Sequence, residues 1–256
     1  WLPGIASGEV VTSFALTEPD AGSDSGAVRT KATREGGAYV INGAKRYITN
    51  ANRASLFTVM ARTDPSLKGG AGVSAFIVPR DSEGLSVGKP EKKMGQQGAH
   101  ICDVNFDNVK VPLAMRLGEE GQGFKVAMQV LDKGRLHISS VCVGVAERLI
   151  EECVKYAAER KQFGQAIANF QMIQAMLADS RAEANAGRAM VLDAARKRDA
   201  GENVVMEASA CKLFCSEMVG RVADRAVQLF GGRGYMRENV AERFFREVRV
   251  DRIWEG

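Results

Sequence analysis

Three short stretches of this chain carry residue types that can do chemistry. A carboxylate, Glu255, follows an aromatic ring, Trp254, at the end of the sequence. Residues 16–24 read Leu-Thr-Glu-Pro-Asp-Ala-Gly-Ser-Asp, and residues 228–235 read Gln-Leu-Phe-Gly-Gly-Arg-Gly-Tyr. A carboxylate held beside an apolar ring can act as a general base, and turns rich in Gly, Ser and Asp can bind phosphate or the polar edge of a heterocycle. We therefore expect proton abstraction next to a bound cofactor.

Each polar stretch also has a purely structural interpretation. The turn at residues 17–24 can be an ordinary turn after a strand, and residues 47–49, Tyr-Ile-Thr, can be an ordinary strand end. One glycine is enough to stop a helix before residue 231, whereas three glycines in residues 231–234 indicate close approach of another backbone or a ligand. Arg160 can pair with the carbonyls at a helix end or reach a pyrophosphate. No GxGxxG follows a strand, so a Rossmann nucleotide site is not indicated.

Composition excludes several classes of protein. The chain has 256 residues, of which 45% are hydrophobic and 26% charged, which is enough for one or two cores. Its net charge of +4 is mild and its basic and acidic residues are mixed, which argues against a nucleic-acid partner but suits an anionic substrate. No apolar run is long enough for a membrane span. His100 and His137, the two histidines, lack ligand spacing to cysteine, so we expect no metal site, and the five cysteines are expected to be buried free thiols.

The pattern of apolar residues changes near residue 115. Before it, short β-branched runs bounded by Gly and Pro predict strands, with a hairpin turn at residues 34–37. After it, apolar residues recur at helical spacing. We therefore predict an α+β multidomain chain, with an antiparallel β-sandwich or barrel at residues 1–115 and an antiparallel helical bundle at residues 116–256. The predicted strands lie near residues 10–16, 28–48, 56–61, 73–78, 85–87 and 101–106, the predicted helices near 123–160, 170–200, 204–230 and 240–250, the predicted caps at Asn169 and Asn203, and the predicted helix stops at Gly164 and Gly201.

Two long motifs in this order resemble the acyl-CoA dehydrogenase family. Residues 15–26, Ala-Leu-Thr-Glu-Pro-Asp-Ala-Gly-Ser-Asp-Ser-Gly, resemble its first signature. Residues 228–238, with Arg243 and Glu247 at the expected spacing, resemble the second. Four shorter matches lie between them in family order, and the resemblance covers essentially the whole chain: residues 47–49, 131–135, 160–163 and 170–171.

The resemblance implies an FAD enzyme that dehydrogenates an acyl-CoA between its α and β carbons, giving a trans-2-enoyl-CoA. It implies that electrons pass to an electron-transfer flavoprotein, that the protein is a homodimer or homotetramer, and that it serves fatty acid β-oxidation. It also implies a location in the bacterial cytoplasm, or in the mitochondrial matrix of a eukaryote. Two alternatives stay open at this point, an acyl-CoA oxidase that uses O2 and a non-catalytic interaction module that kept the fold.

Site residues are carried over from the family motifs position by position. Relatives usually have Tyr-Glu-Gly where this chain has Trp254, Glu255 and Gly256, and the glutamate is the catalytic base. Some members place the base on an earlier helix, where this chain has Gly134, which cannot act as a base. The remaining residues implied for FAD are Phe14, Leu16, Thr17, Gly22, Ser23, Tyr47, Ile48, Thr49, Arg160, Phe163, Gln171, Gln228, Gly231 and Gly232, and those implied for the substrate are Ser23, Asp132, Arg135, Gly232 and Trp254.

The family pattern extends beyond both ends of this sequence. Members normally begin with a helical domain of roughly a hundred residues, a usual domain size, and continue past the residue that matches Gly256. We therefore expect this sequence to be a fragment that dehydrogenates acyl-CoA poorly by itself.

Overall fold

Short apolar runs in the first half of the chain form a sheet of eight strands. The computed structural model describes residues 1–256, and contacts group them into two units, Trp1–Gln129 and Val130–Gly256. The predicted boundary at residues 115 and 116 stays a prediction. The first unit contains helix α1 (Leu2–Ser7) and strands β1 (Thr12–Ala15), β2 (Lys31–Glu35), β3 (Ala38–Thr49), β4 (Leu56–Arg62), β5 (Val73–Pro79), β6 (Leu85–Val87), β7 (Ile101–Pro112) and β8 (Arg116–Leu117).

The sheet is mainly antiparallel. Its strand order is β6-β7-β3-β2-β4-β5-β8, and β1 pairs separately with β4. The β2–β3 hairpin turns at Gly36 and Gly37, as predicted. Strands β1 and β2 both run parallel to β4, a departure from a purely antiparallel sheet. An eight-stranded sheet followed by a helical region confirms the predicted α+β class.

A bulge near the end of β3 changes which side chains face the core. The register against β7 shifts between Lys45 and Ile48, and Tyr47 takes a φ of +58°. Before the shift Ile41 and Lys45 are buried, and after it burial passes to Ile48 while Tyr47 and Thr49 become exposed. A β-bulge inserts one extra residue and so moves the alternation by one position. The bulge therefore turns Tyr47 and Thr49 outward, whereas regular alternation from Ile41 and Lys45 would place both on the buried face.

A buried ion pair joins β3 to the turn that follows β1. Lys45 is fully buried and its Nζ lies 2.7 Å from Oε1 of Glu18 and 3.0 Å from the carbonyl oxygen of Leu16. The Glu18 carboxylate also accepts the backbone N–H groups of Arg29, at 2.6 Å, and Thr30, at 3.0 Å. Every formal charge in this pair is thus met by hydrogen bonds, which is what makes a buried pair tolerable.

The two partners titrate as a coupled pair. Burial lowers the pKa of Lys45 to about 8, against the opposing effect of the Glu18 charge. Burial alone raises the pKa of Glu18, but the charge and hydrogen bond of Lys45, together with the backbone donors, outweigh it and leave that pKa below its usual value. The carboxylate is therefore the form that the fold supports.

Helical periodicity in the second half of the chain produces four helices. They pack around a core that contains Leu149, Met218 and Phe230. Charged residues interrupt the apolar stretches of these helices, and no helix qualifies as a membrane span. The five cysteines are buried free thiols. The helices are α2 (Gly123–Glu159), α3 (Gln171–Asp199), α4 (Val205–Phe230) and α5 (Val240–Glu247), with a hairpin of β9 (Lys161–Gln162) and β10 (Gln165–Ala166) between α2 and α3 and a 3-10 turn at Val248–Arg252.

Of the predicted helix ends, the stop at Gly201 is correct: with a φ of +83°, it follows the end of α3. Asn203 accepts the N–H of Val205 at 3.2 Å, but Val204 takes the cap position of α4. Asn169 does not cap α3, because it ends a 3-10 turn and Phe170 takes the cap position. Gly164 does not stop α2 either. It forms the β9–β10 turn with a φ of +79°, a left-handed conformation typical of two-residue hairpins.

We expect Lys45→Met to destabilise the protein strongly. The variant leaves the Glu18 carboxylate buried without its countercharge, and breaking a buried pair from one side costs about 3–5 kcal/mol. Urea unfolding measures the loss. The double variant Lys45→Met/Glu18→Gln removes both charges and should recover a large part of the lost stability. A single variant as stable as the double one would show that the pair does not brace the sheet.

Candidate active site

The two segments of the first unit that resemble flavin-binding motifs lie side by side. Ser13 on β1 donates its hydroxyl to the carbonyl of Thr49 at 2.7 Å, and the N–H of Arg46 donates to the carbonyl of Thr17 at 2.8 Å. The buried Lys45 adds its bond to the carbonyl of Leu16. The turn after β1 and the end of β3 are therefore fixed to each other at three points.

The exposure of these candidate residues shows which of them can meet a ligand with a side chain and which only with backbone groups. Tyr47, Thr49 and Ser23 are exposed, so their ring and hydroxyls are free to meet a ligand, and the Arg46 guanidinium lies 4.8 Å from the centre of the Tyr47 ring. The side chains of Leu16 and Ile48 are buried, so these two can offer only backbone groups. The remaining predicted residues on this side are the half-buried Phe14 and Thr17 and the exposed Gly22. A flat ring and several hydroxyls and backbone groups suit an isoalloxazine with its polar edge.

The second unit carries Glu255 on a turn in the left-handed region. Glu255 has a φ of +62° and Gly256 a φ of +82°, and a non-glycine residue there is strained by roughly 1–2 kcal/mol. Two cationic side chains hold the turn by its carbonyls. Arg135 on α2 donates Nε–H to the carbonyl of Glu255 at 2.9 Å, and Lys212 on α4 donates to the carbonyl of Gly256 at 2.9 Å.

The side chain of Glu255 lies against Gly134. A Cβ built on Gly134 would come within 2.3 Å of Oε2 of Glu255, so no side chain fits at position 134 while the carboxylate is there. That same Oε2 is buried and has no hydrogen-bond partner. Gly134 cannot itself act as a base, but its lack of a side chain makes room for the Glu255 carboxylate, which can.

The surroundings of Glu255 favour its neutral form. Burial raises the pKa of the Glu255 carboxyl, and the nearby charges of Arg135, Lys212 and His137 only partly oppose this. A carboxylate with a raised pKa is a stronger base near neutral pH than an exposed one. Because Oε2 is not engaged by any donor, it can accept a proton without first breaking a hydrogen bond.

The other substrate-side candidates of α2 gather around the same turn. Asp132 pairs with Arg135 at 2.8 Å, and both side chains are about four-fifths buried, with 22% and 20% of their surface exposed. Ser209 on α4 lies 3.4 Å from the same guanidinium. Trp254, next to Glu255, is half-buried, and its indole N–H has no partner. Asp132 therefore orients Arg135, whose Nε–H group holds the turn that carries Glu255.

A third set of candidates lies near the end of α2 that is distant from Glu255. The Phe163 ring is 93% exposed at the tip of the β9–β10 hairpin and contacts the Phe170 ring edge-on at 6.0 Å. Tyr156 stacks on Phe230 at 4.6 Å and so links this region to the end of α4. The set consists of Arg160, Phe163 and Gln171 on and beside the hairpin, and Gln228, Gly231 and Gly232 at the end of α4, all exposed.

These two groups of the helical unit do not meet. Arg135 and Glu159 lie in the same continuous helix, and the hairpin begins directly after it. At about 1.5 Å per residue, the helix separates the Glu255 turn from Arg160 by roughly 35 Å. The hairpin residues therefore cannot touch the same part of a ligand as Glu255 of the same chain.

Three residues of the site were missed by sequence reasoning. Lys45 and Glu18 form the buried ion pair of the first candidate region. Lys212 donates to the carbonyl of Gly256 in the second. Two of them carry a detectable signal, because Lys45 and Lys212 stand at positions where strand and helix periodicity require an apolar residue. A lysine on an inward face implies a buried partner, although the pattern does not say which one.

Comparison with known proteins agrees with the motifs. Residues 13–109 match the family model described as acyl-CoA dehydrogenase, middle domain, and residues 121–256 match the model described as acyl-CoA dehydrogenase, C-terminal domain. The CarC subunit of a caffeyl-CoA reductase–Etf complex from Acetobacterium woodii is 45% identical over 256 residues, which cover 100% of this chain and 67% of that protein.

Solved structures give the same answer. Butyryl-CoA dehydrogenase from Megasphaera elsdenii superposes with a TM-score of 0.97 at 38% identity, over 100% of this chain and 67% of that one. PigA, solved with FAD and proline, superposes with a TM-score of 0.98 at 32% identity, over 100% of this chain and 67% of that one. With both units matched in sequence and in structure, the chain belongs to the acyl-CoA dehydrogenase family and is part of an FAD-dependent oxidoreductase that acts on the CH–CH group of its donor.

Proposed function

We propose that the enzyme containing this chain removes hydrogen from the α and β carbons of an acyl-CoA thioester, with Glu255 as the base. The observation that carries the proposal is the buried Oε2 of Glu255, which has no hydrogen-bond partner and lies in surroundings that raise the carboxyl pKa. A structural carboxylate is normally met by donors, whereas this oxygen has none and keeps its capacity to accept a proton.

In the proposed reaction Glu255 takes the α proton, and the electron pair of that C–H bond becomes the second bond between the α and β carbons. FAD, when bound, accepts the hydride that leaves the β carbon. The thioester oxygen gains negative charge during the step and needs donors placed in advance, each worth roughly 3 kcal/mol. The backbone N–H of Glu255 is the donor that the family resemblance implies in this chain, and Arg135 and Lys212 hold the turn that presents it.

Two sets of residues are proposed to hold FAD. The turn with Thr17 and Ser23, together with Tyr47 and Thr49, binds the isoalloxazine ring and the pyrophosphate of FAD. The hairpin set, with Arg160 and Phe163 at its tip, binds the adenosine diphosphate half of FAD from a second copy of the chain. The separation of roughly 35 Å along α2 supports this sharing, because one chain cannot bring both its Glu255 turn and its hairpin to one reaction centre.

The proposed electron acceptor is an electron-transfer flavoprotein. The similar CarC protein belongs to a reductase–Etf complex, which supports the partner class. The alternative acceptor is O2, as in an acyl-CoA oxidase. Peroxide production in air without an electron-transfer flavoprotein distinguishes the oxidase from the dehydrogenase.

A second candidate is the reverse reaction, reduction of an α,β-unsaturated acyl-CoA. It is favoured by CarC, a relative at 45% identity that is named as a reductase subunit. The same geometry serves both directions, since a protonated Glu255 returns its proton to the α carbon. Anaerobic equilibration with butyryl-CoA and with crotonyl-CoA, followed by the flavin absorbance, shows which direction the bound enzyme prefers.

We expect Glu255→Gln to bind acyl-CoA but not to bleach the flavin. The amide is nearly the same size as the carboxylate but cannot accept the proton, and loss of a general base costs at least about a hundredfold in rate. The measurement is anaerobic titration of the FAD-loaded enzyme with butyryl-, octanoyl-, palmitoyl- and 3-phenylpropionyl-CoA, following flavin absorbance. Wild-type bleaching identifies the substrate class. Bleaching by Glu255→Gln at the wild-type rate would refute the assignment of the base.

We expect Gly134→Ala to slow flavin reduction by at least about tenfold, because the added methyl group displaces the Glu255 carboxylate and misplaced reacting groups lose rate steeply. Gly144→Ala is the matched control. It lies in the same helix, and a Cβ there meets nothing within 4 Å. Both changes raise helix propensity by about 1 kcal/mol, so lower activity at position 134 alone isolates the contact. Equal rates for the two variants in stopped-flow measurements would contradict it.

We expect the acid limb of the pH–rate profile to report Glu255 and to respond to Arg135. The base works only when deprotonated, so the rate rises with pH through its raised pKa. Arg135 opposes that raised pKa, and Arg135→Gln should therefore move the limb to higher pH. Arg148→Gln removes an exposed guanidinium from the same helix and should leave the limb in place. An unmoved limb in Arg135→Gln, measured by flavin reduction across pH, would exclude Glu255 as the titrating group.

A further inference from the structure

Asp251 is a buried carboxylic acid that the proposed mechanism does not use. It lies in the 3-10 turn four residues before Glu255 and exposes only 2% of its surface. Its Oδ2 accepts the thiol of Cys142 on α2 at 3.6 Å, and its Oδ1 is buried without a partner. A buried polar atom left unpaired needs a physical explanation.

The indole of Trp254 offers the matching donor. Its Nε1 is also buried without a partner, three residues after Asp251. The backbone N–H of Trp254 still bonds to the carbonyl of Val250 at 3.1 Å, so the turn continues to this residue, and side chains three apart in such a turn lie above one another. The indole N–H is near enough to lower the pKa of Asp251, although the two atoms do not meet hydrogen-bond geometry.

The ionised form of the Asp251 carboxyl group opposes the stability of the fold. Burial raises the pKa of Asp251 to about 6, against the opposing effects of Cys142, the indole and the charge of Lys212 on α4. A carboxyl whose pKa is higher in the folded protein than in the unfolded chain makes the fold less stable as pH rises through that interval. Ionisation of Asp251 therefore lowers the stability of the fold as pH rises towards 6.

We propose that Asp251 is a positioning residue that accepts the indole N–H of Trp254 and thereby fixes the turn carrying Glu255. Trp254 is the link, because it is bonded directly to Glu255 and precedes the left-handed backbone at that residue. Arg135 and Lys212 hold the carbonyls on the far side of the turn. Asp251 holds its near side through a side chain. The inference rests on the proposed role of Glu255 as the base.

The test compares two replacements of Asp251 in the FAD-loaded enzyme. Asp251→Leu removes the acceptor and should lower kcat for flavin reduction about tenfold, the effect of losing one hydrogen bond to a charged group, with KM for acyl-CoA little changed. Asp251→Asn keeps an acceptor oxygen and should stay within about threefold of wild type. Neither variant should have a lower Tm at pH 8, because both remove a buried charge. Asp199→Leu, at an exposed aspartate of α3, is the control and should be silent.

A double-variant cycle with Trp254→Phe makes the test specific. Phenylalanine lacks the indole N–H, so in that background Asp251→Leu should cost at most a further twofold. The same tenfold loss in both backgrounds, or a kcat for Asp251→Leu within twofold of wild type, overturns the proposal. These outcomes are distinct from failure of the proposed function, which shows as undiminished bleaching by Glu255→Gln whatever Asp251 does.

Discussion

The site depends on one constraint: the Glu255 carboxylate must be held in place without a hydrogen-bond donor on its Oε2 atom. A hydrogen bond to Oε2 of Glu255 would fix the group but lower its basicity. Here the backbone is held instead, because Arg135 and Lys212 donate to the successive carbonyls of Glu255 and Gly256 and leave Oε2 of Glu255 unpaired. Position comes from the carbonyls and basicity comes from burial, which outweighs the nearby positive charges. Arg135 and Lys212 affect both properties, because they hold the carbonyls and their charges limit the rise of the Glu255 pKa.

The first unit uses its buried charge in a similar way. Lys45 and Glu18 neutralise each other inside the sheet. Lys45 also donates to the carbonyl of Leu16, and Glu18 also accepts the backbone N–H of Arg29. The pair itself therefore adds no net charge beneath the outer edge, where Ser23 and Thr49 are exposed.

The sequence predicted the strands and helices well because both rest on local periodicity. It failed where a single contact overrides the local pattern. A tyrosine at position 47 does not predict a bulge with positive φ, because that conformation is set by the pairing of β3 with β7. Lys45 and Lys212 were visible as charges on apolar faces, but their partners lie 27 and 44 residues away in sequence. The need for glycine at position 134 appears only when the Glu255 carboxylate is placed against it.

The length of α2 has a consequence for assembly. Arg135 within this helix supports the Glu255 turn, and the hairpin with Phe163, 93% exposed, follows the end of the helix. The two therefore share a rigid element that keeps them roughly 35 Å apart. An aromatic ring so exposed on a two-residue hairpin gains little in an isolated chain. Under the proposed sharing of FAD, that ring is covered only when a second copy brings its cofactor. Cofactor binding and association then favour each other by mass action, because each stabilises the state that the other requires.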